Sequence, residues 1–222
     1  MFNLRFLLGV PAALLLACAQ QSAPAPGSGV PDDASDVTPV LIGERAPGFE
    51  LSLASGETYT FDPDNREAPA IIVFYRGGWC PYCGAHLMDM RRAEEAVLEM
   101  GYELLFLSAD SVESLARSLE EKDIQYTLLS DNDLVAAKAY GVAFKVDPAT
   151  VARYLEHGID LEKESGRTHQ MLPVPAVFIV GVDGEIKFEY VNPNYRVRVD
   201  PDLLTVAART ALTQKPLTPL RR

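Results

Sequence analysis

The chain has 222 residues, 48% of them hydrophobic and 23% charged, which suits one soluble globular domain with a sizeable core. A formal net charge of −11 argues against nucleic acid as a partner, because phosphate backbones are bound by basic surfaces.

Residues 1–5 carry the amino terminus and Arg5, and residues 6–17 (FLLGVPAALLLA) form an apolar run of secretory length. The run is too short and wrongly flanked for a spanning helix. It ends in Leu15-Leu16-Ala17-Cys18, which resembles a bacterial lipobox. Signals of that kind have their cysteine lipidated as the mature N-terminus. Residues 1–17 are therefore read as a lipoprotein-type signal peptide and Cys18 as the lipidation site. Plain secretion and an uncleaved anchor are the alternatives. Ala19 is not the aspartate associated with inner-membrane retention, so the resemblance implies a lipid anchor in the outer membrane and a periplasmic location. Residues 18–39 are rich in Ala, Pro, Ser and Gly, have no apolar period, and read as a disordered tether. The folded domain is expected over residues 40–214.

Two alternating segments, 49–53 and 58–61, flank a Ser55-Gly56 turn and predict a β-hairpin. Residues 71–75 (IIVFY) form a continuous apolar run, the pattern of a strand buried on both faces. Arg76, Gly77 and Gly78 break it, and Trp79-Cys80-Pro81-Tyr82-Cys83 follows. Pro81 suits the first turn of a helix, where its missing N–H has no intrahelical partner. The stretch thus predicts strand, tight turn, and a helix opening on Cys-x-x-Cys. A thiol there faces unpaired N–H groups and the positive end of the helix dipole, which favour the thiolate. Two intervening residues bring the sulfurs within reach of a reversible disulfide.

Leu87, Met90, Ala93, Val97 and Met100 continue at helical spacing to Gly101, a C-cap. Residues 104–107 predict a second buried strand. Asp110 with Glu113 resembles a capping box ahead of Val112, Leu115, Ala116 and Leu119. Residues 126–129 predict a third strand and 134–140 a short helix ended by Gly141. Residues 142–170 read as an excursion from the sheet, with a helix at 150–157 and a polar, turn-like stretch at 162–167. A strand at 177–180, an Asp183-Gly184 turn and an alternating return strand through Ile186, Phe188 and Tyr190 form a terminal hairpin. A helix over 202–212 closes the chain. Alternating β and α elements predict a central mixed sheet with helices on both faces, an α/β fold.

These elements together resemble the thioredoxin fold. FYRGGWCPYC at 74–83, LLSD at 128–131, GIDL at 158–161 and LPVPAVFIVGVDGEIKF at 172–188 narrow the resemblance to the peroxiredoxin-like group of the alkyl hydroperoxide reductase/thiol-specific antioxidant (AhpC/TSA) family, from about Leu41 to about Ala207. It implies a thiol-dependent peroxidase that reduces hydrogen peroxide or organic hydroperoxides. A thioredoxin-like protein would re-reduce it, and no cofactor is implied.

The sequence departs from the usual family pattern at two places. Typical members have Phe-Tyr-Pro and then a Thr three residues before the peroxidatic Cys. Here Arg76 replaces the Pro, Cys80 replaces the Thr, and Cys83 takes the peroxidatic position. The usual Arg three residues before the next strand's Phe is Pro175, as in thioredoxins, where a cis-Pro faces the disulfide. The thioredoxin-like reading makes Cys80, the more exposed thiol at the helix start, the attacker and Cys83 the resolver; the peroxiredoxin register reverses them. Exposure and the helix dipole favour Cys80.

Arg76 is a candidate for stabilising a thiolate or peroxide oxygen, with a surface salt bridge as the plainer role. Trp79 is placed over the site's rim or in the core. The antiparallel return of the last hairpin should bring Tyr195, Arg196 and Arg198 near the sulfurs, either to supply the missing cation or as a solvated loop. His86 and His157 read as helix-face or surface residues. His169 admits a copper-carrier alternative, since thiolate and imidazole suit copper. With Cys18 lipidated, the two remaining cysteines both lie in the motif, so no disulfide framework exists. A second alternative is a periplasmic thiol–disulfide oxidoreductase acting on proteins.

Overall fold

The computed structural model describes residues 29–122 and 127–215. The signal segment over 1–17, Cys18, the tether as far as residue 28, and Tyr126 lie outside the described residues. The hairpin is β1 (Phe49–Leu53) and β2 (Thr58–Phe61), with Phe49 stacked on Phe61 at 4.9 Å between ring centroids. The apolar run is β3 (Ala70–Tyr75), buried at every residue. Next come α1 (Pro81–Asp89), α2 (Arg91–Glu99), β4 (Glu103–Ser108), α3 (Val112–Lys122), β5 (Thr127–Ser130) and α4 (Val135–Ala139). The excursion holds β6 (Ala143–Lys145), α5 (Pro148–Glu156), α6 (Leu161–Ser165) and β7 (Met171–Pro173). β8 (Ala176–Val180), β9 (Ile186–Val191) and α7 (Pro201–Ala211) complete the order.

Seven strands form one sheet in the order β2-β1-β5-β4-β3-β8-β9, and β6 pairs with β7 in a separate two-stranded ribbon. β3, β4 and β5 run parallel at the centre; the other neighbours pair antiparallel. Because side chains alternate along a strand, β3 feeds two cores. Ile72 and Phe74 join Phe178, Tyr140, and Ala136 and Ala137 of α4 on one face. Ile71, Val73 and Tyr75 join Cys83, Leu87, Val97 and Leu204 of α1, α2 and α7 on the other. Phe178 is fully buried, with Tyr140 at 5.0 Å and Phe74 at 6.0 Å between ring centroids. Phe178→Ala is expected to lower the unfolding free energy by about 3–5 kcal/mol, read from urea denaturation, since the vacated ring leaves a cavity between rigid neighbours.

The fold departs from the sequence reading in five places. Residues 29–39 are not a free tether: Val30, Ala34 and Val37 pack on the core, and Lys145 N–H donates to Pro31 O at 2.8 Å. The helix after the cysteines is interrupted at Met90, where Ala93 N–H reaches back three residues to Met90 O at 3.0 Å. Asp110 does not cap α3. Ser111 does, its Oγ accepting from Ser114 N–H at 3.2 Å. The polar stretch at 162–167 holds helix α6, because Asp160 accepts from the N–H groups of Glu162 and Lys163 and Leu161 faces the core. No cis peptide bond occurs among the described residues, so Pro175 is trans. It carries the chain from the β6–β7 ribbon, where Val174 N–H donates to Val142 O, to the main sheet, where its carbonyl accepts from Asn192 N–H.

Candidate active site

β3 ends at the sheet's centre and turns through Gly77 and Gly78 into α1. A Cβ on Gly77 would overlap the Trp79 ring and the Asp110 carboxylate, and one on Gly78 would overlap Ser118 Oγ. The turn is therefore closed to any side chain. Gly77→Ala is expected to destabilise the protein by about 1–3 kcal/mol, measured in the same urea titration, because Trp79 and the buried Asp110 must both shift. The turn delivers Cys80 as the N-cap of α1, Pro81 at N1 and Cys83 in the first turn. Cys80 O accepts from the N–H groups of Cys83 and Gly84, each at 3.0 Å.

Both cysteines are free thiols, and both are covered: Cys80 is 2% and Cys83 0% exposed. The exposure that favoured Cys80 is absent. Electrostatics separates the pair. The hydrogen bond to Cys83 and burial push the Cys80 thiol up, and the nearby Cys83 charge adds to this. For Cys83, burial opposes ionisation, yet the hydrogen bond from Cys80, the charge and hydrogen bond of Arg198 and the backbone N–H of Arg76 outweigh it, and its pKa is lowered. Arg198 Nη2 stands 3.3 Å from Cys83 Sγ, while its Nε donates to Tyr195 O at 2.8 Å. The return loop after β9 thus supplies the cation, and Arg198 is the residue that reaches the sulfur. Tyr195 sits on Tyr82 at 5.5 Å, with Arg196 over both rings.

Among the described residues Arg76 makes no surface salt bridge. It is 4% exposed, and its guanidinium lies over the rings of Tyr195 (4.3 Å), Trp79 (5.2 Å) and Tyr154 (5.3 Å). Its Nη2 donates to the Tyr154 hydroxyl. Trp79 is half-buried between the two cores, on the rim as well as in the packing. Pro175 and Arg76 line the same cleft.

Behind the turn lies a buried polar group that sequence reasoning missed. Asp110 accepts from Gly78 N–H at 2.7 Å and from Ser108 Oγ at 3.1 Å. Burial pushes its carboxyl up to about 7 against those two hydrogen bonds. The Tyr75 hydroxyl is buried there too, its pKa raised by burial and by the Asp110 charge. His86 is not a surface residue: it is buried beside Arg198, and burial followed by the Arg198 charge lowers it to about 4. His157 is exposed. His169 uses both ring nitrogens on the backbone, Nδ1 accepting from Met171 N–H at 2.9 Å and Nε2 donating to Asn132 O at 2.7 Å. That leaves no nitrogen for copper, and no cluster of three metal-binding side chains occurs among the described residues.

Residues 42–189 match the AhpC/TSA family. The chain is 31% identical over 106 residues to a putative peroxiredoxin bcp of Haemophilus influenzae, a match covering 48% of this chain and 68% of that one. It is 28% identical over 106 residues to the peroxiredoxin Bcp of Escherichia coli, covering 48% and 67%. Among solved structures, the peroxidoxin BcpB of Mycobacterium tuberculosis aligns with a TM-score of 0.58 at 18% identity, over 79% of this chain and 98% of that one. A peroxiredoxin-like protein from Aquifex aeolicus aligns with a TM-score of 0.58 at 16% identity, over 78% and 89%.

Proposed function

From the premise that this chain belongs to the AhpC/TSA family and is a peroxiredoxin-type enzyme of thioredoxin-like fold, we propose that it reduces peroxides through a Cys83 thiolate resolved by Cys80. The observation that carries the reading is Arg198 Nη2 at 3.3 Å from Cys83 Sγ, with Cys80 as the thiol that donates to the same sulfur. The Cys83 thiolate attacks one oxygen of the O–O bond. An S–O bond forms, the O–O bond breaks, and the departing oxygen leaves as water or alcohol once it takes a proton. Arg198 is placed to stabilise the thiolate before attack. The Cys80 sulfur then attacks the Cys83 sulfenic acid, forming the Cys80–Cys83 disulfide and releasing water. The two thiols already touch, so this second step needs no large rearrangement of α1.

A dithiol protein of thioredoxin type then reduces the disulfide, taking up its two electrons as a disulfide of its own. Location on the periplasmic side, tethered by lipid at Cys18, is part of this reading and rests on the leader's composition. The rival reading, a disulfide oxidoreductase for proteins, rested on the absence of the family's usual Thr and Arg; Arg198 beside Cys83 supplies a cation at the sulfur and favours the peroxidase reading.

The test is a stopped-flow trace of fluorescence from Trp79, the only tryptophan, when the reduced full-length protein meets hydrogen peroxide. A fast second-order change is expected. A rate no better than that of an ordinary free thiol would remove the peroxidase assignment.

A further inference from the structure

We propose that the exposed start of α1 and the loop after β9 form the docking surface for the protein that re-reduces the disulfide, and that this surface fits a dithiol protein carrying carboxylates around its own cysteines. The inference rests on the dithiol cycle proposed above and adds to it the chemistry of the partner.

Cys80 and Cys83 are 2% and 0% exposed, so a thiol that collides with the protein at random finds almost no sulfur to attack. Reduction calls for a partner that binds beside them. The surface there is built from two elements. Pro81 and Tyr82, the residues that follow Cys80, are exposed, Tyr82 at 43%. The loop brings Tyr195, Arg196 and Val197, of which Val197 is 44% exposed. Tyr82 meets Tyr195 edge to face, and the Arg196 guanidinium lies 5.7 Å and 5.6 Å from the two ring centroids. Tyrosine and arginine are enriched at the energetic centres of protein interfaces, and a tyrosine ring buries much area at little entropic cost. The same loop carries Arg198 to Cys83 and holds it through Tyr195 O, so a partner on the loop sits next to the reacting sulfurs.

Charge chooses the partner. Arg196 is exposed and, among the described residues, pairs with no carboxylate. The acids nearest in the chain have other partners. Asp89 and Asp202 pair with Arg92 at 3.2 Å and 3.0 Å, and Asp200 accepts from Asp202 N–H at 2.8 Å as the cap of α7. Arg76 stands behind the Tyr195 ring at 4.3 Å, so cations gather around the thiols of a chain whose formal net charge is −11. An acidic partner is repelled by the chain's net charge and attracted here, which orients it with its thiols over α1. The exchange balances without another reactant. The partner's thiolate attacks the sulfur of Cys80, which adjoins the exposed Pro81; the S–S bond breaks and Cys83 leaves as the thiolate beside Arg198. The partner's second thiol passes its proton to Cys80 as it displaces that sulfur from the mixed disulfide. The partner departs as a disulfide, having given up two electrons.

The experiment starts from full-length protein oxidised with diamide, which closes the disulfide without peroxide. Two synthetic dithiol peptides are the probes, identical except for glutamates or lysines flanking the Cys-x-x-Cys of each. Each reduction rate is read from Trp79 fluorescence and checked by mass. It is divided by the same peptide's rate with hydroxyethyl disulfide, which removes the intrinsic difference between their thiols. At low ionic strength the acidic peptide is expected to react about five-fold faster, the scale of an exposed ion pair, and the gap should close as salt is added. Arg196→Glu should reverse the order, and Arg196→Lys should keep it. Equal normalised rates, or a gap that survives Arg196→Glu, overturn the proposal; the second result would assign the attraction to Arg76 and Arg198. A disulfide that forms with diamide and not with hydrogen peroxide removes the peroxidase reading and leaves the docking surface to be decided by the same rates. If neither oxidant closes the disulfide, the dithiol cycle and this proposal fall together.

Discussion

Cys83→Ser is expected to abolish peroxide reduction, whereas Cys80→Ser is expected to retain the first oxidation and lose only turnover. Removing a covalent nucleophile costs on the order of 10⁶ in kcat in a well-measured case, so Cys83→Ser should fall to the rate of the bare solution reaction. In Cys80→Ser the new hydroxyl still donates to Cys83 Sγ, so the thiolate keeps one of its partners. That variant should form one equivalent of sulfenic acid, trapped by dimedone and counted by mass, at a rate within about ten-fold of the unsubstituted protein. It should then stop, because no second thiol remains to close the disulfide. Cys80→Ala removes the donor as well and should be slower than Cys80→Ser, most of all at low pH. The reverse pattern, with sulfenic acid in Cys83→Ser and none in Cys80→Ser, would make Cys80 the attacker, the order the sequence alone favoured.

That order rested on an exposed Cys80, and Cys80 is buried. A helix N-terminus was expected at the surface, and Pro81 and Tyr82 are exposed there, but the N-cap Cys80 itself is buried, with Tyr195 against Tyr82 beside it. Local chemistry was legible elsewhere: the apolar run of β3, the turn at Gly77 and Gly78, and Pro81 at N1 need only neighbouring residues to be read. What needed the third dimension was missed or left open. Arg198 lies 115 residues from Cys83. The antiparallel return of β9 pointed the loop at the sulfurs but not which of Tyr195, Arg196 and Arg198 arrives. Asp110 looked like a cap because Glu113 follows it, yet its carboxylate turns to Gly78 and leaves the cap to Ser111. Residues 29–39 have a linker's composition. A few spaced apolar side chains, Val30, Ala34 and Val37, nevertheless suffice to dock them, and composition does not register so small a contact.

Arg198→Met is expected to raise the pKa of Cys83 and to slow peroxide oxidation at low pH while sparing it at high pH. Methionine keeps much of the apolar bulk and removes the charge. A hydrogen bond to a charged group contributes about 1.5–3 kcal/mol, and one pKa unit corresponds to about 1.36 kcal/mol. The Cys83 midpoint should therefore move up by about 1–2 units. Its pKa is lowered in the native protein, so the reactive thiolate fills in as pH rises through that midpoint. Moving the midpoint up lowers the thiolate fraction by the full factor below the old value and by a shrinking factor between the old value and the new one. The rate should fall about 10–100-fold below the old midpoint and recover above the new one. Thiolate absorbance against pH measures the shift directly. An unchanged midpoint would mean that Cys80 and the Arg76 N–H hold the thiolate by themselves. His86 gives an independent reading of the same charge. Burial and then Arg198 hold its imidazole down at about 4, so with Arg198 gone it should titrate higher while remaining depressed by burial. A shift at both Cys83 and His86 places the Arg198 charge between them. A shift at His86 alone leaves Arg198 as a neighbour of the helix and not a partner of the sulfur.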